Sequence, residues 1–242
     1  MHVDRDCRDR LIRTMEQFLS EKTTAFQFDD ALCDISRNNS DPTVESVADL
    51  LWSYYDDCKD HKVVLNKTEW DYIQRLMLIL KSNAHIELEN HTHWYPSQIA
   101  AVIALALFGF CVAWLGTGYR VLFLFVPFGI ISLILTAWRE RSAPRYSRQY
   151  TAIVPFDRVR ELLGLRRTVC AFSKQKYPHY LRERMIRTKN ESRILELKRC
   201  IVQIIGSPIW LFFQSFPGID TVPRVKLSPE KMIQRADANA PV

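Results

Sequence analysis

The residues best equipped for chemistry stand in one string, Tyr54-Tyr55-Asp56-Asp57-Cys58-Lys59-Asp60-His61. Carboxylates beside an imidazole are a donor set for Mn²⁺, Fe²⁺ or Zn²⁺, and the same groups serve as general acids and bases. On a helix, Asp57 and His61 stand four apart, as do Asp56 and Asp60, so each pair would share a face. Acids at a helix C-terminus oppose the macrodipole, so their presence there asks for a reason. The competing expectation is structural: the acids cap the following turn, pair with Lys62 and Arg75, or face water. No H-x-x-x-H or E-x-x-H element accompanies them, and nothing in the sequence brings His85, His91 or His93 to the string. The structural expectation is therefore favoured. A membrane-associated metal-dependent enzyme using Asp56, Asp57, Asp60 and His61 is the weakest of three functional readings, and no cofactor is implied. P-loop, GxGxxG and GxSxG motifs are likewise missing from the sequence.

The elements around that string read as helices. Leu11, Ile12, Met15, Phe18 and Leu19 recur at spacings of three and four. A second helix is predicted over Phe28 to Ser36, with Ala31, Leu32 and Ile35 inward. Asp41-Pro42 has the form of an N-cap acid followed by proline at the first helical position. Val44, Val47, Ala48, Leu51, Tyr55 and Cys58 then form an apolar face. Asn66 and Glu69 have capping-box spacing ahead of Trp70, Ile73, Met77 and Leu80. Residues 1–90 are thus expected to form an acidic cytoplasmic bundle of about four helices.

Between Ile99 and Trp138 the only charge is Arg120. Two apolar runs, about residues 99–115 and 121–138, flank a short glycine-containing turn. Each is just long enough at about 1.5 Å per residue to cross a bilayer core of about 30 Å. Trp94, Tyr95, Trp114, Tyr119 and Trp138 fall where membrane–water interfaces would lie. Arg139, Arg141, Arg145 and Arg148 follow the second run, which by the positive-inside rule places both termini in the cytoplasm. Ala106, Gly109, Ala113 and Gly116 line one face of the first helix, and Gly129, Ser132 and Thr136 one face of the second. Such faces pack closely in lipid, within the hairpin or between copies of the chain. With no ionisable group inside the runs, coupled transport is disfavoured.

The segment 139–220 is basic. Lys174, Lys176, Arg182, Arg184 and Arg187 alternate with Tyr177, Tyr180, Leu181 and Ile186, a pattern that suits anionic lipid headgroups better than nucleic acid beside a membrane. A short helix is predicted from Pro155 to Gly164. The apolar stretch 201–216 contains Gln203, Gly206, Pro208 and Gln214, which makes it an interfacial segment or a cover for the hairpin's base rather than a third span. Residues 221–242 read as a flexible tail.

Charge follows the same division. Residues 1–90 hold 11 Lys and Arg against 18 Asp and Glu, while the remainder holds 22 against 9, for a net +6. Six scattered cysteines, Cys7, Cys33, Cys58, Cys111, Cys170 and Cys200, fit a reducing compartment and no disulfide framework. The fold class is mainly α: a two-helix transmembrane hairpin (94–138), an N-terminal acidic bundle and a basic, mostly helical membrane-proximal region. The leading functional expectation is a membrane-anchored adaptor, regulator or effector that meets a protein partner through residues 1–90. The second is an oligomeric membrane-disrupting or pore-forming effector.

Overall fold

The computed structural model describes residues 3–37, 39–56, 58–116, 118–142, 153–169 and 172–226. The chain divides into two compact units, and neither is one continuous segment. The first takes residues 1–89, 150–186 and 221–242; the second takes 90–149 and 187–220. The basic region after the hairpin is therefore split between the two units instead of forming a region of its own.

In the first unit, α1 (Arg5–Leu19) starts where the Asp4 side chain accepts the Cys7 N–H, and it buries Leu11, Ile12, Met15, Phe18 and Leu19 as the periodicity predicts. Helix α2 spans Ala25–Arg37, with Phe28, Leu32 and Ile35 buried. Asp41 caps α3 (Pro42–Leu51) with Pro42 at its first position, and Asn66 and Glu69 close a capping box on α4 (Lys67–Lys81). These starts are local hydrogen-bond arrangements, which is why spacing reveals them. Helix α4 is buried on all sides from Trp70 to Leu80, Asp71 excepted, and so forms the centre of the unit. Around it Phe18 stacks on Phe28 at 4.3 Å between centroids, and Tyr55 meets Phe28 edge-on at 5.6 Å. Phe156, Leu165 and Leu181 complete the same core from beyond the hairpin. Helix α7 runs over Val159–Thr168, so Gly164 lies inside it and does not end it.

Helix α3 stops at Leu51 and passes through a 3-10 turn, Trp52–Tyr54, into a loop. Tyr55 is buried but Cys58 is exposed, so the apolar face does not continue to Cys58. Two strands that the sequence pattern does not predict, β1 (His85–His93) and β2 (Gly218–Lys226), pair in a two-stranded sheet. Lys226 pairs with Glu87, and Arg224 reaches Glu89 at 3.2 Å. The residue numbers in the two pairs have a constant sum, the signature of antiparallel pairing. Residues 221–226 thus belong to a strand and not to a tail, and 227–242 lie outside the described residues.

The second unit contains α5 (Pro96–Leu115) and α6 (Leu122–Ser142), both long and apolar enough to cross a membrane. The apolar stretch near residue 200 forms two helices, α8 (Lys189–Ile205) and α9 (Ser207–Gln214), broken at Gly206. Leu211 of α9 is buried in a small core with Ala101, Ala104, Phe128 and Leu135.

Candidate functional site

Each acid of the Tyr54–His61 string that the structure describes serves the backbone. Residues 55–56 and 58–66 form no helix, so the i, i+4 pairing expected for Asp56 with Asp60 does not exist. Asp56 Oδ1 accepts the Cys58 N–H at 2.9 Å, and the Asp56 N–H donates to His61 Nε2 at 2.9 Å. Asp60 Oδ1 accepts the Phe26 N–H at 3.1 Å, and the His61 carbonyl accepts the Ala25 N–H at 2.8 Å. The loop thereby satisfies two free N–H groups at the start of α2. The Phe26 N–H holds the Asp60 carboxyl below the usual carboxylate range. Among the described residues no group of three or more His, Cys, Asp or Glu could hold a metal ion, and Asp57 lies outside them. Cys7, Cys33, Cys58, Cys111 and Cys200 are not in disulfides; Cys170 also lies outside the described residues.

A different set of charges is buried. Arg8 and Asp41 are both 0% exposed and meet with Arg8 Nε donating to Asp41 Oδ2 at 2.5 Å and Nη2 to Oδ1 at 3.2 Å. Arg8 Nη1 donates to the Ser82 and Ala84 carbonyls, both at 2.9 Å, and Asp41 also accepts the Thr43 N–H at 2.9 Å. Arg5 adds bonds to the Leu80 and Ser82 carbonyls. Two guanidinium groups therefore cap the negative end of α4, while Asp41 caps the positive end of α3. Burial alone would raise the Asp41 carboxyl, but the Arg8 guanidinium and the Thr43 N–H outweigh it and hold it low. His85, 3.3 Å from the Thr43 hydroxyl, is pushed down by burial and by the nearby Arg8 charge. The sequence shows only the Asp41 cap; Arg8 sits on an otherwise apolar helix face, and that misplacement is the one signal it offers.

The cations assigned to lipid headgroups divide between several settings. Lys174 pairs with Asp71 at 2.8 Å, and Arg184 pairs with Glu21 at 2.5 Å while also donating to the Val63 carbonyl. Burial would raise the Glu21 carboxyl, yet the Arg184 guanidinium holds it below its ordinary range. Trp70 Nε1 donates to the Gln175 carbonyl and the Tyr177 hydroxyl to the Leu65 carbonyl. Residues 172–186 thus form a strap over the helices of the first unit, with Tyr177 and Leu181 as packing contacts and Tyr180 58% exposed. Lys176 and Arg182 are exposed, and Arg187 is half-buried. Arg139 lies within van der Waals reach of Gly218, Arg141 is exposed, and Arg145 and Arg148 lie outside the described residues.

In the second unit, Gln203 Nε2 donates to Ser132 Oγ at 3.1 Å and Thr136 Oγ1 at 2.8 Å. Gln214 Nε2 donates to Thr136 Oγ1 at 2.7 Å and to the Ser132 carbonyl at 3.0 Å. A Cβ on Gly129 would come within 2.6 Å of Ile204 Cα, so the small residue permits backbone contact there. Gly129, Ser132 and Thr136 are therefore packing residues, but they pack on α8 and α9. Ala106, Gly109, Ala113 and Gly116 are exposed, and nothing lies within 4 Å of a Cβ placed on Gly109 or Gly116. Within the unit α5 packs through Ala101 and Ala104 instead. Trp94, Trp114, Tyr119 and Trp138 are exposed, while the Tyr95 N–H is held by Gln98 Oε1 at the start of α5.

Comparison with protein-family models, with curated proteins and with solved structures finds no match to this chain.

Proposed function

We propose that this is an integral membrane protein with two spans and both termini cytoplasmic, acting as an anchored adaptor, regulator or effector whose first unit engages a protein partner. The observation that carries the reading is the outer row Glu45, Asp49 and Trp52. These residues share the solvent face of α3 and its 3-10 extension, and Trp52 is 61% exposed. An exposed indole with two carboxylates on the same helix face suits a partner that offers an apolar pocket beside a basic patch. A photo-crosslinking amino acid at position 52 of the full chain in its native membrane tests this. A discrete adduct that disappears with Glu45→Lys and Asp49→Lys is the expected outcome; an adduct pattern indifferent to those charges overturns the reading.

The outward row Ala106, Gly109, Ala113 and Gly116 favours a second reading, an oligomer of this chain that disrupts or perforates membranes. Gly109→Leu would abolish dye leakage from vesicles carrying the protein. Vesicles that stay sealed with the wild-type chain remove the idea. The metal-dependent enzyme has no such support, because Asp56, Asp60 and His61 are committed to the backbone.

A further inference from the structure

We infer that α8 and α9 form a re-entrant helical pair immersed in one leaflet, which makes the second unit a wedge that binds acyl chains and favours convex membrane curvature. The proposal rests on the membrane-spanning reading of α5 and α6. Its starting point is the direction of the pair. Ile204 meets Gly129, and Gln203 meets Ser132 and Thr136, so α8 runs antiparallel to α6 from the hairpin's base toward its middle. The chain then breaks at Gly206, and α9 returns: Leu211 packs with Ala101 and Ala104, and Gln98 Nε2 donates to the Phe216 carbonyl at 2.8 Å. Gly129 stands nine residues before Trp138, about 13 Å along the helix axis at about 1.5 Å per residue. In a hydrocarbon core of about 30 Å, the turn at Gly206 therefore reaches close to the midplane and goes no further.

The chemistry of the pair follows the same depth. Residues 187–199 carry Arg187, Lys189, Glu191, Arg193, Glu196, Lys198 and Arg199, whereas 200–219 carry no charge. The antiparallel contacts of Ile204 with Gly129 and of Gln203 with Thr136 place Arg199 between the levels of Ile134 and Glu140, toward the base of the hairpin. Below that level Ile201, Val202, Ile205, Ile209, Phe212 and Phe213 are exposed, with Ile205 at 67% and Phe213 at 60%. The polar side chains of the same stretch face the other way: Gln203 and Gln214 are bonded to α6, and Ser207 is 0% exposed. Apolar groups outward and polar groups inward is the arrangement that hydrocarbon demands and water opposes. The apolar face is also continuous with the lipid-facing surface of α6, which argues for acyl chains as its occupant.

The pair adds two helices of about 10 Å diameter to one leaflet and none to the other. At the opposite end of the hairpin Phe110, Trp114, Leu122 and Phe123 are exposed, and among the described residues no further helix covers them. A unit broad at its base and narrow at its turn expands the base leaflet and bends the bilayer toward it.

The full chain, reconstituted in phosphatidylcholine vesicles with a minority of phosphatidylglycerol, tests the wedge. An environment-sensitive fluorescent amino acid at position 205 or 213 should be quenched by lipids brominated in mid-chain, while one at position 196 should answer only to aqueous iodide. The wild-type chain should sort several-fold onto tubules drawn from giant vesicles. Ile205→Lys with Phe213→Lys should remove that preference while the chain still resists alkaline extraction. Quenching of 205 and 213 by iodide alone overturns the proposal. So does protection of both from either quencher at concentrations where the chain dimerises, or equal density on tubule and vesicle. Release of the wild-type chain by alkali brings down the membrane-spanning reading itself and the wedge with it.

Discussion

The two units both join their helices through buried polar side chains, and they use different chemistry to do so. In the first, a guanidinium and a carboxylate with no exposed surface tie the starts of α1 and α3 to the end of α4. In the second, two glutamines bond a serine and a threonine across α6, α8 and α9. A buried ion pair needs many hydrogen bonds to offset its desolvation, and helix ends supply them. Neutral amides and hydroxyls desolvate more cheaply, so they suit helices packed side by side along an apolar hairpin. In these two networks the charge is buried at helix ends and the neutral polarity along helix flanks, whereas Arg75, buried in the middle of α4, is held by the Val154 carbonyl.

The contrast predicts a ranking of effects. Asp41→Ala leaves Arg8 buried without a counter-charge and should destabilise the first unit by about 3–5 kcal/mol, read from denaturant unfolding of the full chain. Replacing both partners with apolar residues, Arg8→Met with Asp41→Leu, should return much of that loss; a double variant no better than the single would show the pair to be net stabilising.

Overpacking comes next. Gly129→Leu forces α8 away from α6 and should cost about 1–3 kcal/mol in detergent unfolding. Gly109→Leu, which meets open space, should leave unfolding unchanged. Equal effects at the two glycines would contradict the packing described here. Gln203→Leu removes two neutral hydrogen bonds and should cost about 0.6–1.7 kcal/mol, clearly less than Asp41→Ala.

The smallest effect is a slope with pH. Because the folded state lowers the His85 pKa, the unfolded chain takes up the proton first, and stability falls as pH drops below about 6.5 until the folded pKa is reached. Asp41 adds its own loss below about pH 4, where the unfolded chain's carboxyl takes up a proton that the depressed carboxyl of the folded state still refuses. Unfolding midpoints measured across this range should show the first slope in the wild type and lose it in His85→Gln.

What could be read from the sequence was local. The apolar faces of α1 and α2, the caps at Asp41 and Asn66, and the two long apolar runs depend on residues a few positions apart, so spacing and hydropathy reveal them. The Asp56–His61 string shows the limit of that reasoning. Its i, i+4 spacing has meaning only on a helix, and α3 ends before it because Tyr55 turns into the core beside Phe28.

The sequence by itself determined that this chain has amphipathic helices before and after two runs suited to hydrocarbon. Only the tertiary structure decided which faces meet. The strap of residues 172–186 lies on the helices of the first unit, where Leu181 and Tyr177 join the core and Lys174 and Arg184 meet Asp71 and Glu21 more than a hundred residues away. The strand β1 forms because it pairs with β2 more than a hundred residues away, with Glu87 beside Lys226 and Glu89 beside Arg224. The small residues of α6 pack on α8 and α9, while Ala106, Gly109, Ala113 and Gly116 of α5 stay outward. Each of these is a choice among long-range pairings of comparable local propensity. Loop closure and packing complementarity settle such choices, and neither is written in the spacing of neighbouring residues.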